Sequence, residues 1–302
     1  MMTSLATSIS QGHERDSRAP FLPTDWPHRE HSQFPVSSGC RWHVQRMGQG
    51  PCLLMIHGTA ASTHTWRDVM PILARHFDVI AVDLPGHAYT ERLPTGSMTL
   101  QSLSTAVAEL LLTLGARPQH LVGHSAGAAI ALDLALHRDV AAESVIGVNA
   151  ALLPFGGVMK DLFSPMARFF ATTKLMPRML ARRARNTKAV NRVLDGTGSR
   201  LSTVGLSYYQ RLFQAETHLA SVLEMMATWE LQPLIHDLPE LAAQLTLIVG
   251  TEDKAVSPRE ALKIRELLPD LRIEELDGLG HLAHEESPET VAGLIKSQVQ
   301  RA

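Results

Sequence analysis

His120-Leu121-Val122-Gly123-His124-Ser125-Ala126-Gly127-Ala128-Ala129-Ile130-Ala131-Leu132 is the stretch whose reading decides the fold. Leu121-Val122 has strand character, the alanine-rich run from Ala128 to Leu136 has helix character, and a serine flanked two positions away by glycine stands between them. A chain that reverses this sharply from strand to helix crowds the positions two before and two after the serine, and glycine removes the offending Cβ at each. The hydroxyl then projects alone, as a nucleophile would. Such a pattern also arises by chance, so its surroundings must carry the reading.

Those surroundings alternate. Strand-like runs are expected at Trp42 to Arg46, Leu53 to His57, Val79 to Asp83, His120 to Gly123, Val145 to Asn149, Thr246 to Gly250 and Arg272 to Leu276, with helical stretches between most of them. Leu53-Leu54-Met55-Ile56 and Val79-Ile80-Ala81-Val82 are continuously apolar, as parallel strands covered on both faces must be. Leu100, Leu103, Val107, Leu110, Leu111 and Leu114 form an apolar helical stripe that ends at Gly115. The expected fold class is α/β, with a mostly parallel central sheet flanked by helices.

The alternation stops between Asn149 and about Pro239, which implies a helical cap inserted over 151–239 between core segments 39–150 and 240–302. Residues 160–200 of this cap carry ten basic side chains, Arg178, Arg182, Arg183 and Arg185 among them, against Asp161 and Asp195. Methionines, leucines and phenylalanines are interleaved with these charges. The patch reads either as a solvated helix face or as a surface for an apolar anion, an acidic partner or a membrane interface. Residues 1–38, rich in Ser, Pro, His and charge, read as a poorly ordered arm that docks locally through Phe21, Trp26 and Phe34.

The chain has 302 residues and a formal net charge of −2, so nothing draws it as a whole to nucleic acid. Cys40 and Cys52 are the only cysteines, too few for a disulfide framework and in keeping with a reducing cytoplasm. The amino terminus lacks a basic leader with an apolar core, and no run of apolar residues could span a bilayer. The expectation is a cytoplasmic protein, neither exported nor membrane-spanning, with peripheral membrane contact left open.

A serine hydroxyl needs a base, and the base needs a carboxylate to hold its tautomer. Asp253 follows the strand Thr246 to Gly250, and His281 follows the strand ending at Leu276 in Asp277-Gly278-Leu279-Gly280-His281. Parallel strands would gather both at the sheet edge where Ser125 sits. Glu252 and Glu230 compete with Asp253 for the acid, and His284 competes with His281. The backbone N–H groups of Thr59, after His57-Gly58, and of Ala126 are the expected oxyanion donors. His57, His64, His87 and His124 read as pocket or turn residues, Asp83 as a loop-fixing acceptor and Arg67 as a surface charge. No metal site and no cofactor are expected.

The His57-Gly58 turn, Asp83-Leu84-Pro85-Gly86-His87, the serine turn and the Asp253 and His281 loops, in this order, resemble the α/β-hydrolase family over residues 41–300. The order Ser125, Asp253, His281 is also that family's order of nucleophile, acid and histidine. One departure is Ala88, where many relatives have glycine. Asp25-Trp26-Pro27-His28-Arg29-Glu30, Arg41-Trp42-His43-Val44-Gln45, His57 to Arg67, Phe163-Ser164-Pro165-Met166-Ala167-Arg168, Gly196-Thr197-Gly198-Ser199-Arg200 and Gly280 to Glu286 look like the BchO group, magnesium chelatase accessory proteins of bacteriochlorophyll synthesis. This resemblance implies a role near magnesium insertion into protoporphyrin, with magnesium chelatase subunits as partners and a tetrapyrrole as a candidate apolar, anionic ligand for the cap. It supplies no reaction. Two alternatives stay open: a general carboxylesterase or C–C bond hydrolase, and a non-catalytic protein that binds a tetrapyrrole or recruits partners.

Overall fold

A computed structural model describes residues 22–95, 97–153 and 175–301. An eight-stranded sheet runs through the core in the order β1-β4-β6-β5-β7-β8-β9-β10, with a small separate pair, β2 (Val36–Ser37) and β3 (Cys40–Arg41). Strands β5 (Cys52–Ile56), β6 (Asp78–Val82), β7 (His120–His124), β8 (Ser144–Val148), β9 (Gln244–Gly250) and β10 (Arg272–Leu276) are parallel. Strands β1 (Ser32–Gln33) and β4 (Val44–Met47) join one edge antiparallel.

The continuous apolar runs are explained by cover on both faces. Leu54, Ile56, Ile80, Val82 and Leu121 enter one core cluster with helices α2 (Leu100–Thr113) and α3 (Ala126–His137), which follow the short α1 (Met70–Leu73). Their chain neighbours Leu53, Met55, Val79, Ala81 and Val122 enter a second cluster on the opposite face, with Trp66 and the C-terminal helix Pro288–Val299. A strand with two buried faces has no position to spare for a polar residue.

The described part of the cap is helical: α4 (Leu175–Ala184), α5 (Thr187–Asp195), α6 (Thr203–Phe213) and α7 (Glu216–Thr228). Lys160, Arg168, Lys174 and the Phe163 to Arg168 stretch lie outside the described residues. From Leu231 onward the chain expected to be cap packs on the main core instead, where Leu231, Leu234 and Leu238 join the α3 side of the sheet.

Residues 22–38, read from composition as part of a poorly ordered arm, are built into the fold. Ser32–Gln33 pairs with Gln45 and Val44 as an edge strand. Trp26 is buried against the rings of His43, His64 and Tyr89 from the core and Tyr208 from the cap. One large ring in a box of four outweighs the polarity of its neighbours in sequence, which an average over composition cannot register.

Candidate active site

Ser125 sits between β7 and α3 with φ 52° and ψ −119°, a left-handed conformation costly for a residue with a Cβ. Its N–H donates to Val148 O at 3.0 Å, and its carbonyl accepts from Ala128 and Ala151 N–H. A Cβ on Gly123 would lie 2.3 Å from the Gly127 carbonyl oxygen and 2.4 Å from Ala128 N, so the first glycine is required by the turn itself. Gly127 answers to a different neighbour: a Cβ there would lie 2.3 Å from the carbonyl oxygen of Ile56, at the end of β5. The same close approach brings Gly58 against Ser125, with 2.9 Å between a built Gly58 Cβ and the serine Cβ. Thr59 and Ala126 therefore flank Ser125, one on the loop after β5 and one at the start of α3.

Asp253 and His281 meet at the carboxyl edge. His281 Nδ1–H donates to Asp253 Oδ2 at 2.7 Å, and both side chains are nearly closed to solvent. Asp253 Oδ1 accepts from the backbone N–H groups of Ala255 and Val256, each at 2.8 Å. Asn149 Nδ2 donates to Oδ2, also at 2.8 Å. Four donors thus hold one carboxylate in orientation. Glu230 and Glu252, the competing acids, are exposed.

Asn149 is a site residue that sequence reasoning read only as the end of a strand. It sits just past β8 with φ 46°, its N–H donating to Ile248 O at 2.8 Å, and asparagine tolerates that conformation. An asparagine at the carboxyl end of a parallel strand was the available signal.

Next to Ser125, His124 donates from Nε2 to the His281 carbonyl at 2.9 Å and ties the serine strand to the histidine loop. Burial pushes His124 well below the usual imidazole range, and positive charge on His284 or His281 would push it further. Its neighbour His284 bonds through Nε2 to Thr65 Oγ1 at 2.6 Å and is likewise driven down by burial. His57 donates from Nδ1 to Gly58 O at 2.7 Å and accepts at Nε2 from Leu84 N–H at 2.9 Å, so it is a neutral strut between two loops. Asp83 accepts from His43 Nδ1 and from the N–H groups of Thr63 and Tyr89. Burial pushes its carboxyl up, but His43, nearby His57 and the Thr63 N–H win and bring it to about 2.

Arg67, expected at the surface, is buried. It pairs with Glu285 and Asp68, and Glu285 accepts also from Tyr209 of α6 and from Thr65. Burial pushes the Glu285 carboxyl up while Arg67 and the two hydroxyls pull it back. Nothing in the spacing of Arg67 and Glu285 announces a meeting across more than 200 residues. Arg178, Arg182 and Arg183 stand exposed on α4 and Arg185 in the turn just after it, with Arg178 near Glu216 at 3.5 Å. Among the described residues no hydrogen bond or ion pair joins them to the Ser125, Asp253 or His281 loops. Nor does any group of His, Cys, Asp and Glu among those residues suit a metal ion.

A model of the alpha/beta hydrolase family matches residues 53–294. The chain is 36% identical over 282 residues to the magnesium-chelatase 30 kDa subunit of Rhodobacter capsulatus, covering 93% of this chain and 98% of that one. It is 28% identical to the uncharacterized hydrolase YugF of Bacillus subtilis, over 83% of this chain and 90% of that one. The epoxide hydrolase CorEH superposes with a TM-score of 0.72 at 22% identity, covering 88% of this chain and 97% of that one. A serine hydrolase involved in carbazole degradation does so at 0.70 and 19%, covering 90% and 99%. Both speak for the fold alone. With a family model matched over most of its length and a mostly parallel central sheet flanked by helices, the chain belongs to the α/β-hydrolase family.

Proposed function

We propose that the chain is a serine hydrolase that works in bacteriochlorophyll synthesis, in the cytoplasm and in association with magnesium chelatase. Ser125 Oγ attacks the carbonyl carbon of an ester while His281 Nε2 takes its proton. Asp253 stabilises the imidazolium that forms through its bond from Nδ1–H. The Thr59 and Ala126 N–H groups face the developing oxyanion, where one donor is worth about 3 kcal/mol. Collapse of the tetrahedral intermediate expels the alkoxide, which leaves with the proton from His281. Water, deprotonated by the same imidazole, then frees Ser125 from the acyl group.

The observation that carries the chemical half is the His281–Asp253 hydrogen bond on a carboxylate held by three further donors, beside a serine in a left-handed turn. The pathway half is supported by likeness to a protein named as a magnesium-chelatase subunit along nearly its whole length. The substrate class that fits is apolar and anionic, a tetrapyrrole ester being the candidate. A fluorophosphonate probe tests the chemistry: it should label native protein at Ser125 and fail on Ser125→Ala. Native, folded protein that stays unlabelled refutes it.

The word subunit in that relative's name favours a second reading, in which the hydrolase architecture serves to present a pigment precursor or recruit a partner. Under that reading Ser125→Ala restores pigment formation in a host lacking the protein, whereas charge reversal at Arg182, Arg183 and Arg185 does not.

A further inference from the structure

We propose that the α4–α5 face of the cap docks on an anionic lipid bilayer. The hydrolytic reading is not needed for this, and the two stand or fall separately. Round α4, a period of 3.6 residues sets an order. Pro177, Ala181 and Ala184 are buried against the molecule, Leu180 and Arg183 line a groove, Leu175 and Met179 come next, and Arg182 and Arg178 follow. Leu175 is 74% exposed and Met179 54%, where a soluble helix would carry polar residues. Round α5 the order repeats: Val190 and Leu194 are buried, Ala189 and Val193 wall the groove, and Arg192 and Lys188 follow. Val193 is 58% exposed.

The two helices thus border an apolar groove of about 220 Å³, floored by Phe213 and Leu219 and with Arg183 among its lining residues. Over residues 175–195 six basic side chains face one acid, Asp195. Such a volume falls below the ~300–1,000 Å³ of a site that encloses a drug-sized molecule, and the groove is open to solvent. A sealed ligand pocket is therefore the poorer fit. Exposed apolar side chains beside a one-sided ring of arginines suit a headgroup layer: the cations meet lipid phosphates, while Leu175, Met179 and Val193 reach the acyl boundary and a chain end enters the groove. A protein partner would need an acidic surface carrying its own apolar ridge, and nothing in the molecule selects for one.

Full-length protein sedimented with phosphatidylcholine vesicles, with and without phosphatidylglycerol, tests this. Binding is expected only where phosphatidylglycerol is present and should fall as salt rises. Arg182→Gln with Arg192→Gln should weaken it roughly 25-fold, at about fivefold per cation lost. Met179→Asp with Val193→Asp should bring it to the level of neutral vesicles, and an unchanged thermal midpoint checks folding. Equal sedimentation with neutral and anionic vesicles, or variants that bind like the parent, overturns the proposal. So does magnesium chelatase captured through the same residues by protein that ignores vesicles.

Discussion

Gly280, one residue before His281, lies so close to Gly198 of the cap that a Cβ on Gly280 would sit 2.4 Å from the Gly198 carbonyl carbon. Around this contact Thr197 O accepts from Lys254 N–H at 3.1 Å and His281 N–H at 3.3 Å, and Ser199 Oγ accepts from Leu282 N–H at 2.7 Å. One turn of the cap is therefore bonded to both the Asp253 and the His281 loop. The cap thus buttresses the two loops that carry Asp253 and His281.

Gly280→Ala must push these two backbones apart. A destabilisation of about 1–3 kcal/mol is expected, together with slower fluorophosphonate labelling of Ser125. Gly278→Ala is the control: its φ is 73°, but nothing lies within 4 Å of the added methyl. It should lose stability through strain alone and label at the parent rate.

Asn149→Leu removes one of the four donors on Asp253 and leaves the carboxylate less firmly held beside His281. Removing a hydrogen bond to a buried charge costs about 1.5–3 kcal/mol. Ester hydrolysis should fall in kcat by roughly tenfold or more, with little change in KM, since Asn149 lies behind the acid. Equal losses in both constants would argue for general disruption.

Stability should drop as pH falls from about 6.5 to about 4. His57 Nε2 and His218 Nδ1 accept backbone N–H bonds, from Leu84 and Ala88, that a proton there would break. Burial lowers both imidazoles, His218 to about 4, with positive charge on His57 adding to the effect on His218. A folded-state pKa below the unfolded one means that the unfolded chain binds more protons, so stability is present above about 6.5 and is lost toward the folded value. His218 alone contributes on the order of 3 kcal/mol. Thermal unfolding midpoints across this window check it, and His218→Gln should flatten the slope.

Arg67→Met leaves Glu285 buried without its cation and should cost about 3–5 kcal/mol. The exposed Arg182→Met should change stability by no more than about 0.5 kcal/mol. Denaturant midpoints at equal m-value compare the two.

Ala88 has φ 44°, in the left-handed region that favours glycine. Ala88→Gly should relieve about 1 kcal/mol of backbone strain, read as a raised thermal midpoint.

Much was legible before any coordinates. Strand alternation, the stripe from Leu100 to Leu111 and the glycines around Ser125 are local: each follows from side-chain period or from a Cβ that cannot fit, so neighbours in sequence determine it. The order of Ser125, Asp253 and His281 was legible too, because parallel strands deliver their following loops to one edge. Asn149, Arg67 with Glu285, Trp26 and the Gly198–Gly280 contact were not. Their roles depend on which distant backbone or charge arrives beside them, and neither composition nor period carries that information. The chain alone thus determined an α/β sheet with a serine turn and an inserted helical cap. Only the tertiary structure decided that this cap would grip the histidine loop, that a lone tryptophan would pin the amino-terminal segment, and that a buried arginine would find its carboxylate, since desolvation and close packing act on what is near in space.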